Sequence, residues 1–283
     1  MTCKVVTAHL GDTKVAVVDC PGFNDTYRSP TEILKEIAGI LCTQSILNKS
    51  LRLKGILYLH SLEKSKMEGS DVDVLRMFQE LVGEAALPHV VFVSTMWGKF
   101  QPDEKFTAFN REAELRDKFW KSMIGKGSQV DRFDGDTASA QGLISQVIKK
   151  EDVVLAIQHE LLTDEKKLNQ TSAGALVAPY LDRDEDEIRR ELKELSAQIQ
   201  AENNKALRAA IQHDKAIADA RNARTLLNKA QLDTRVGVDT RKTLADYKKS
   251  HNWRGDLQLF CSVLGFGLTT VLPLTGAAAC LVM

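Results

Sequence analysis

The strongest constraint on this chain is a short run near its start, Lys14-Val15-Ala16-Val17-Val18-Asp19, followed at once by Cys20-Pro21-Gly22-Phe23-Asn24-Asp25-Thr26. Its apolar residues do not alternate with polar ones, so the run predicts a buried strand. Asp19 falls at the C-terminal end of that strand, which in open α/β sheets is the edge where ligands bind. A carboxylate there can hold Mg²⁺, usually through water, and a glycine three residues later lets a backbone N–H come close to a terminal phosphate. The competing interpretation is an ordinary strand that ends in a Pro-Gly turn.

Upstream, Thr2–Leu10 predicts another strand, and Gly11-Asp12-Thr13 between the two β-branched runs predicts a hairpin. Downstream, Pro30-Thr31-Glu32 opens a helix through Leu47, with Ile33, Ile37, Ile40 and Leu41 at helical spacing. Lys54–His60 is the next buried strand, then a polar loop over Ser61–Ser70, a helix from about Asp71 to Val82, and a strand at Val90–Thr95. Glu104–Ile124 predicts a helix, Gln129–Asp134 a short strand, and Asp136 or Thr137 caps a further helix through Ile148. Strands that alternate with helices indicate an α/β domain with a mostly parallel sheet, here over residues 1–150.

The segment Val-Val-Asp-Cys-Pro-Gly-Phe-Asn-Asp-Thr resembles the Walker B and switch II region of P-loop GTPases related to septins and to the immunity-associated GTPases, as also seen in fungal G-domain proteins. That resemblance implies a G domain that binds GTP and Mg²⁺ and acts as a nucleotide-dependent switch, with GTP hydrolysis as the parent activity. By it, Asp19 holds Mg²⁺, Gly22 contacts the γ-phosphate, and Thr2 is the switch I threonine that reaches both; the other possibility for Thr2 is a frayed terminus. It also implies that Thr95, Trp97, Ser139 and Ala140 line the base. Gly98 is a departure, because these relatives place an aspartate there to bond the guanine edge. Trp97 is open to two roles, stacking on a base or packing at the sheet edge. Ser139-Ala140 is open likewise, as a base contact or simply a helix start.

Half of such a site is missing. No G-x-x-x-x-G-K-[ST] occurs in the 283 residues, and Gly125-Lys126-Gly127-Ser128 lacks the first glycine and follows switch II instead of preceding it. The strand that feeds the phosphate loop normally sits centrally in this fold, between those matching Lys14–Asp19 and Lys54–His60. The expectation is therefore an incomplete G domain, its first strand and P-loop absent, inactive as a hydrolase in this form. It is either an N-terminally truncated fragment of an ordinary GTPase or a degenerate one that serves as a membrane-tethered interaction or scaffold protein.

Residues 151–256 predict a long helical region, broken at Pro179. Ile188, Leu192, Leu195 and Ile199 keep a coiled-coil spacing, which offers self-association through residues 186–250. A helical hairpin or an extended helix against the G domain competes with that interpretation. Residues 257–283 carry no charge at all and exceed the ~20 residues that a membrane helix needs. The final Cys280-Leu281-Val282-Met283 also matches a prenylation signal at Cys280. The tail thus has three readings: inserted in a membrane, prenylated, or packed on the G-like domain, with insertion preferred. Lys+Arg and Asp+Glu balance at 38 each, which argues against nucleic acid as a partner. Five scattered cysteines without a paired metal motif, and no apolar signal core after Met1, point to a cytoplasmic chain.

Overall fold

The protein is described by a computed structural model that covers residues 3–23, 25, 27–47, 51–64, 66–250 and 277–283. The strands are β1 (Lys4–Leu10), β2 (Thr13–Asp19), β3 (Leu51–Ser61), β4 (Val90–Thr95), β5 (Gln129–Arg132) and β6 (Ala277–Val282). They form one sheet in the order β1-β2-β6-β3-β4-β5. Only β1 is antiparallel to its neighbour. Gly11, with φ of 59°, supplies the left-handed turn that joins β1 to β2.

The helices are α1 (Pro30–Ile46), α2 (Gly69–Val82), α3 (Lys105–Glu114), α4 (Lys121–Ile124), α5 (Thr137–Ile148), α6 (Ala156–Leu162), α7 (Ser172–Ala201), α8 (Lys205–Leu232) and α9 (Val236–Ser250). On one face of the sheet, Val18, Ile56, Tyr58, Phe92 and Leu281 pack with Ile33, Ile37 and Leu41 of α1 and Phe78 of α2. On the other face, Leu57, Val91, Val93 and Cys280 pack against Leu143 and Val147 of α5. Burial on both faces is why these strands read as unbroken apolar runs. The start of α1 is built as its sequence requires. Ser29 caps the Glu32 N–H, Glu32 returns the bond, and Pro30 occupies the first turn.

Four expectations are corrected. Pro179 does not break the helical region: it lies inside α7, in the third turn after the Thr171 cap, and the helix runs on through it to Ala201. Glu104–Ile124 is not one helix; a π-helical turn at Leu115–Phe119 separates α3 from α4 and seats Trp120 in the core. The central position between β2 and β3 is not vacant: β6 fills it, parallel to both. Ala277–Val282 of the apolar tail therefore belong to the sheet, and Cys280, fully buried within it, is not placed to receive a prenyl group. Residues 257–276 of the proposed membrane segment lie outside the described residues. Among the described residues no helix is long and apolar enough to cross a membrane.

The helical region is a hairpin laid on the α/β layer. Antiparallel α7 and α8 are clamped by Lys229–Asp182 at 2.6 Å and Arg221–Glu191 at 2.9 Å. Ile188, between those bridges, is buried, while Leu192, Leu195 and Ile199 are half-buried. Gly237 admits α9 against α6, since a β-carbon there would lie 2.1 Å from the Leu161 carbonyl.

Leu281 is buried in the largest core cluster. Leu281→Ala should lower the unfolding free energy by about 2–5 kcal/mol in urea denaturation, as truncation of a buried leucine does. A loss below about 0.5 kcal/mol, the range of ordinary surface substitutions, would remove β6 from the core.

Candidate functional site

The parallel strands β2, β6, β3, β4 and β5 all point the same way, so their C-terminal ends share one edge. Asp19 ends β2 and Gly22 follows it, Thr95 ends β4 and Trp97 follows it, and Ser139 and Ala140 lie in the first turn of α5 beyond β5. The topology thus gathers all six on one edge. They are spread along it: Asp19 and Thr95 end strands three spacings apart, about 14 Å. Thr2 lies outside the described residues.

Between Gly22 and Ser61 the edge is concave. Pro21, Gly22, Phe23, His60, Ser61, Lys64, Asp71 and Met283 line a cavity of about 190 Å³. Its end of the sheet is stitched by Met283, whose N–H donates to the Leu57 carbonyl at 2.9 Å and whose carbonyl accepts from Leu59 N–H at 2.6 Å. Lys64 Nζ lies 2.9 Å from Asp71 Oδ1, and Asp71 Oδ2 accepts the Glu68 N–H. Burial pushes the Asp71 carboxyl up, but Lys64 and the Glu68 N–H outweigh it and hold it below the ordinary carboxylate range. Burial also holds the His60 imidazole below its ordinary value, against the pull of Asp71. A larger cleft of about 500 Å³ lies between α1, α2 and α7. It shares Phe23 and Val74 with the strand-end cavity and holds none of the residues picked out by sequence. The smaller cavity, lined by Gly22 in the loop that follows Asp19, is therefore the candidate site.

Asp19 is exposed, and it makes no ion pair among the described residues. A single free carboxylate at this edge suits Mg²⁺, which keeps several waters and takes one or two carboxylates besides phosphate oxygens. A β-carbon on Gly22 would meet nothing within 4 Å, so packing does not dictate the glycine.

At the β4–β5 end the side chains are already engaged. The Thr95 hydroxyl donates to the His60 carbonyl across β3 and β4 at 3.2 Å. Trp97 is only 5% exposed, its indole N–H donates to Ser94, and its ring lies 4.2 Å from the Arg132 guanidinium and 5.5 Å from Phe109. The assignment of Trp97 to the base is thus corrected: its ring is buried in the fold, the packing role that the sequence left open. Ser139 completes the α5 cap, accepting from Asp134 N–H and donating to the Asp136 carbonyl. Gly125–Ser128 lies at the N-terminal end of β5, on the opposite edge; Lys126 pairs there with Glu84 and Ser128 with the Leu87 carbonyl.

Sequence reasoning missed two features. One is the His60, Ser61, Lys64 and Asp71 cluster, which it had left in a strand end, a polar loop and a helix start. The other is the network beneath Trp97, where buried Glu112 accepts from Ser94 Oγ at 2.7 Å and pairs with Arg132 through two nitrogens. Ser94 and Arg132 end neighbouring strands, but Glu112 comes from α3 and carries no local signal. No protein-family model matches the sequence, and a search of curated proteins returns no match.

His60 binds its proton less readily folded than unfolded, so its contribution to stability is complete above the unfolded value of about 6.5 and is lost as pH falls through the folded value. Urea midpoints should therefore fall between pH ~7 and ~5, above the range where carboxylates titrate. His60→Gln should flatten that part of the curve. An unchanged slope in the variant would assign the effect to another group.

Proposed function

We propose that this chain is a guanine-nucleotide-binding domain of the septin and immunity-associated GTPase type, a switch that takes GTP and Mg²⁺ at the C-terminal edge of its sheet. One observation carries the reading: the strand order β1-β2-β6-β3-β4-β5. The G-domain arrangement calls for an antiparallel edge strand, then the strand ending in the Mg²⁺ aspartate, then a central parallel strand, then three more. Each place is filled here, and the central one is filled from the far end of the chain.

The edge residues divide the work. Asp19 would bind Mg²⁺ through water, and Gly22, with open space where a side chain would stand, would bring its backbone N–H to the terminal phosphate. Lys64 stands on the same cavity as a cation for phosphate oxygens, at the cost of loosening its pair with Asp71. Base recognition is weak in this account, because Gly98 offers no carboxylate, Trp97 is covered and the Thr95 hydroxyl is engaged. Phosphate affinity is weak too, because the 283 residues contain no G-x-x-x-x-G-K-[ST] cradle. The covered Trp97 favours a second reading, in which the G-like domain only supports an interaction surface on α7 and α8. Leu207, Ile217, Leu226 and Leu227 of α8 are exposed and would serve it.

Titration with fluorescent GTP should give Mg²⁺-dependent binding with Kd of about 0.1–1 mM. Asp19→Ala should abolish the Mg²⁺ dependence, and GTP should be preferred over ATP by less than about 10³-fold. Low-micromolar affinity would show a phosphate cradle elsewhere. No binding up to millimolar nucleotide would favour the interaction reading.

A further inference from the structure

The antiparallel register of β1 and β2 pairs Lys4 with Asp19. One step further along, Cys3 faces Cys20. Neither of their N–H groups bonds across this pair: Cys3 N–H donates to Glu36 Oε1 at 2.7 Å, and Cys20 N–H to the Val282 carbonyl at 3.0 Å. They are therefore a non-hydrogen-bonded cross-strand pair, for which Cα atoms stand ~4.5 Å apart. That separation falls inside the range a disulfide spans. The neighbouring Cys20 side chain, burial and the Glu36 carboxylate all push the Cys3 thiol up from its ordinary value. Both thiols are free.

We infer that Cys3 and Cys20 form a reversible disulfide, a thiol-modification site that ties the entry of β1 to the loop bearing Gly22. The oxidant is a low-molecular-weight disulfide such as oxidised glutathione. Cys20 is 8% exposed and Cys3 fully buried, so Cys20 is the sulfur that the oxidant meets first. The Cys20 thiolate attacks one glutathione sulfur, the glutathione S–S bond breaks, and one glutathione thiolate leaves. The Cys3 sulfur then attacks the Cys20 sulfur of the mixed disulfide and expels the second glutathione. The two protons lost by the protein thiols end on the two glutathiones, so the protein is oxidised by two electrons and glutathione disulfide is reduced by two. Burial makes the step slow and selective, dependent on local opening of the strand end. A cross-strand link at this place would hold Cys20-Pro21-Gly22 against β1 and restrict any movement of the Gly22 loop. The inference does not require that the site bind nucleotide.

The test uses the whole chain, incubated with oxidised glutathione at pH ~8, near the ordinary thiol pKa. The mixture is then denatured, alkylated and mapped by mass spectrometry. Two of the five cysteines should escape alkylation, and the peptide ending at Lys4 should be joined to the one spanning Val15–Arg28. Dithiothreitol should restore both, and Cys42→Ser should leave the linkage unchanged. Four results would overturn the inference: all thiols still free, glutathione retained on Cys20 without linkage to Cys3, Cys20 linked to another cysteine, or the link forming only in denaturant. Fluorescent-GTP binding by the oxidised protein is read separately, so that failure of the nucleotide reading leaves this result intact.

Discussion

The structure depends on hydrogen bonding along both sides of β6. On one side, Val15–Asp19 of β2 pairs with Ala278–Val282; on the other, Leu51–Leu57 of β3 pairs with Ala277–Val282, with a register shift between Leu53 and Gly55. Without that strand, the facing edges of β2 and β3 would present unpaired N–H and C=O groups in the middle of the fold, where burial without a partner costs about 1–3 kcal/mol per group. The β1–β2 hairpin would also lose its only strand connection to β3, β4 and β5. Cys280 and Leu281 then fasten the strand from opposite faces, one against α5 and one in the cluster under α1 and α2.

That same strand makes the candidate site. Parallel alignment through β6 brings the ends of β2 and β3 to one level, so that Gly22, Met283 and His60 wall a single cavity. At the other end of the edge the structure closes instead of opening. Glu112 is buried, yet Arg132, Ser94 and the neighbouring indole satisfy the polar groups around it. Met96, with φ of 65°, takes the left-handed turn that swings Trp97 onto this network. The edge therefore has an open half suited to phosphate and metal and a packed half that offers little to a base.

How much of this was legible in the sequence follows from the range of the interactions. The buried runs of β2, β3 and β4 and the capped start of α1 were readable, because apolar runs and caps are local signals. Asp19 and Gly22 were readable as an edge pair because the strand's end is marked by its own sequence. The end of the tail, Ala277–Val282, was misread for a physical reason. An uncharged run suits a bilayer and the centre of a sheet alike, and only pairing partners more than 200 residues away distinguish them. Pro179 was overweighted, since a proline in a helix interior removes one backbone hydrogen bond, and α7 continues through it from Ser172 to Ala201 all the same. The covering of Trp97 needed Arg132 and Phe109, and the Cys3–Cys20 pair needed the register of the hairpin; neither is a composition signal.

The account rests most heavily on β6 as a hydrogen-bonded central strand, and amide hydrogen exchange measures that directly. Peptides covering residues 277–283 should be protected by at least about 10³-fold over an unstructured chain, as slowly exchanging as Ile56–Leu59 of β3, because both sets of amides open only with the core of the sheet. Exchange at the rate of an unstructured chain in 277–283, with β3 still protected, would contradict the account.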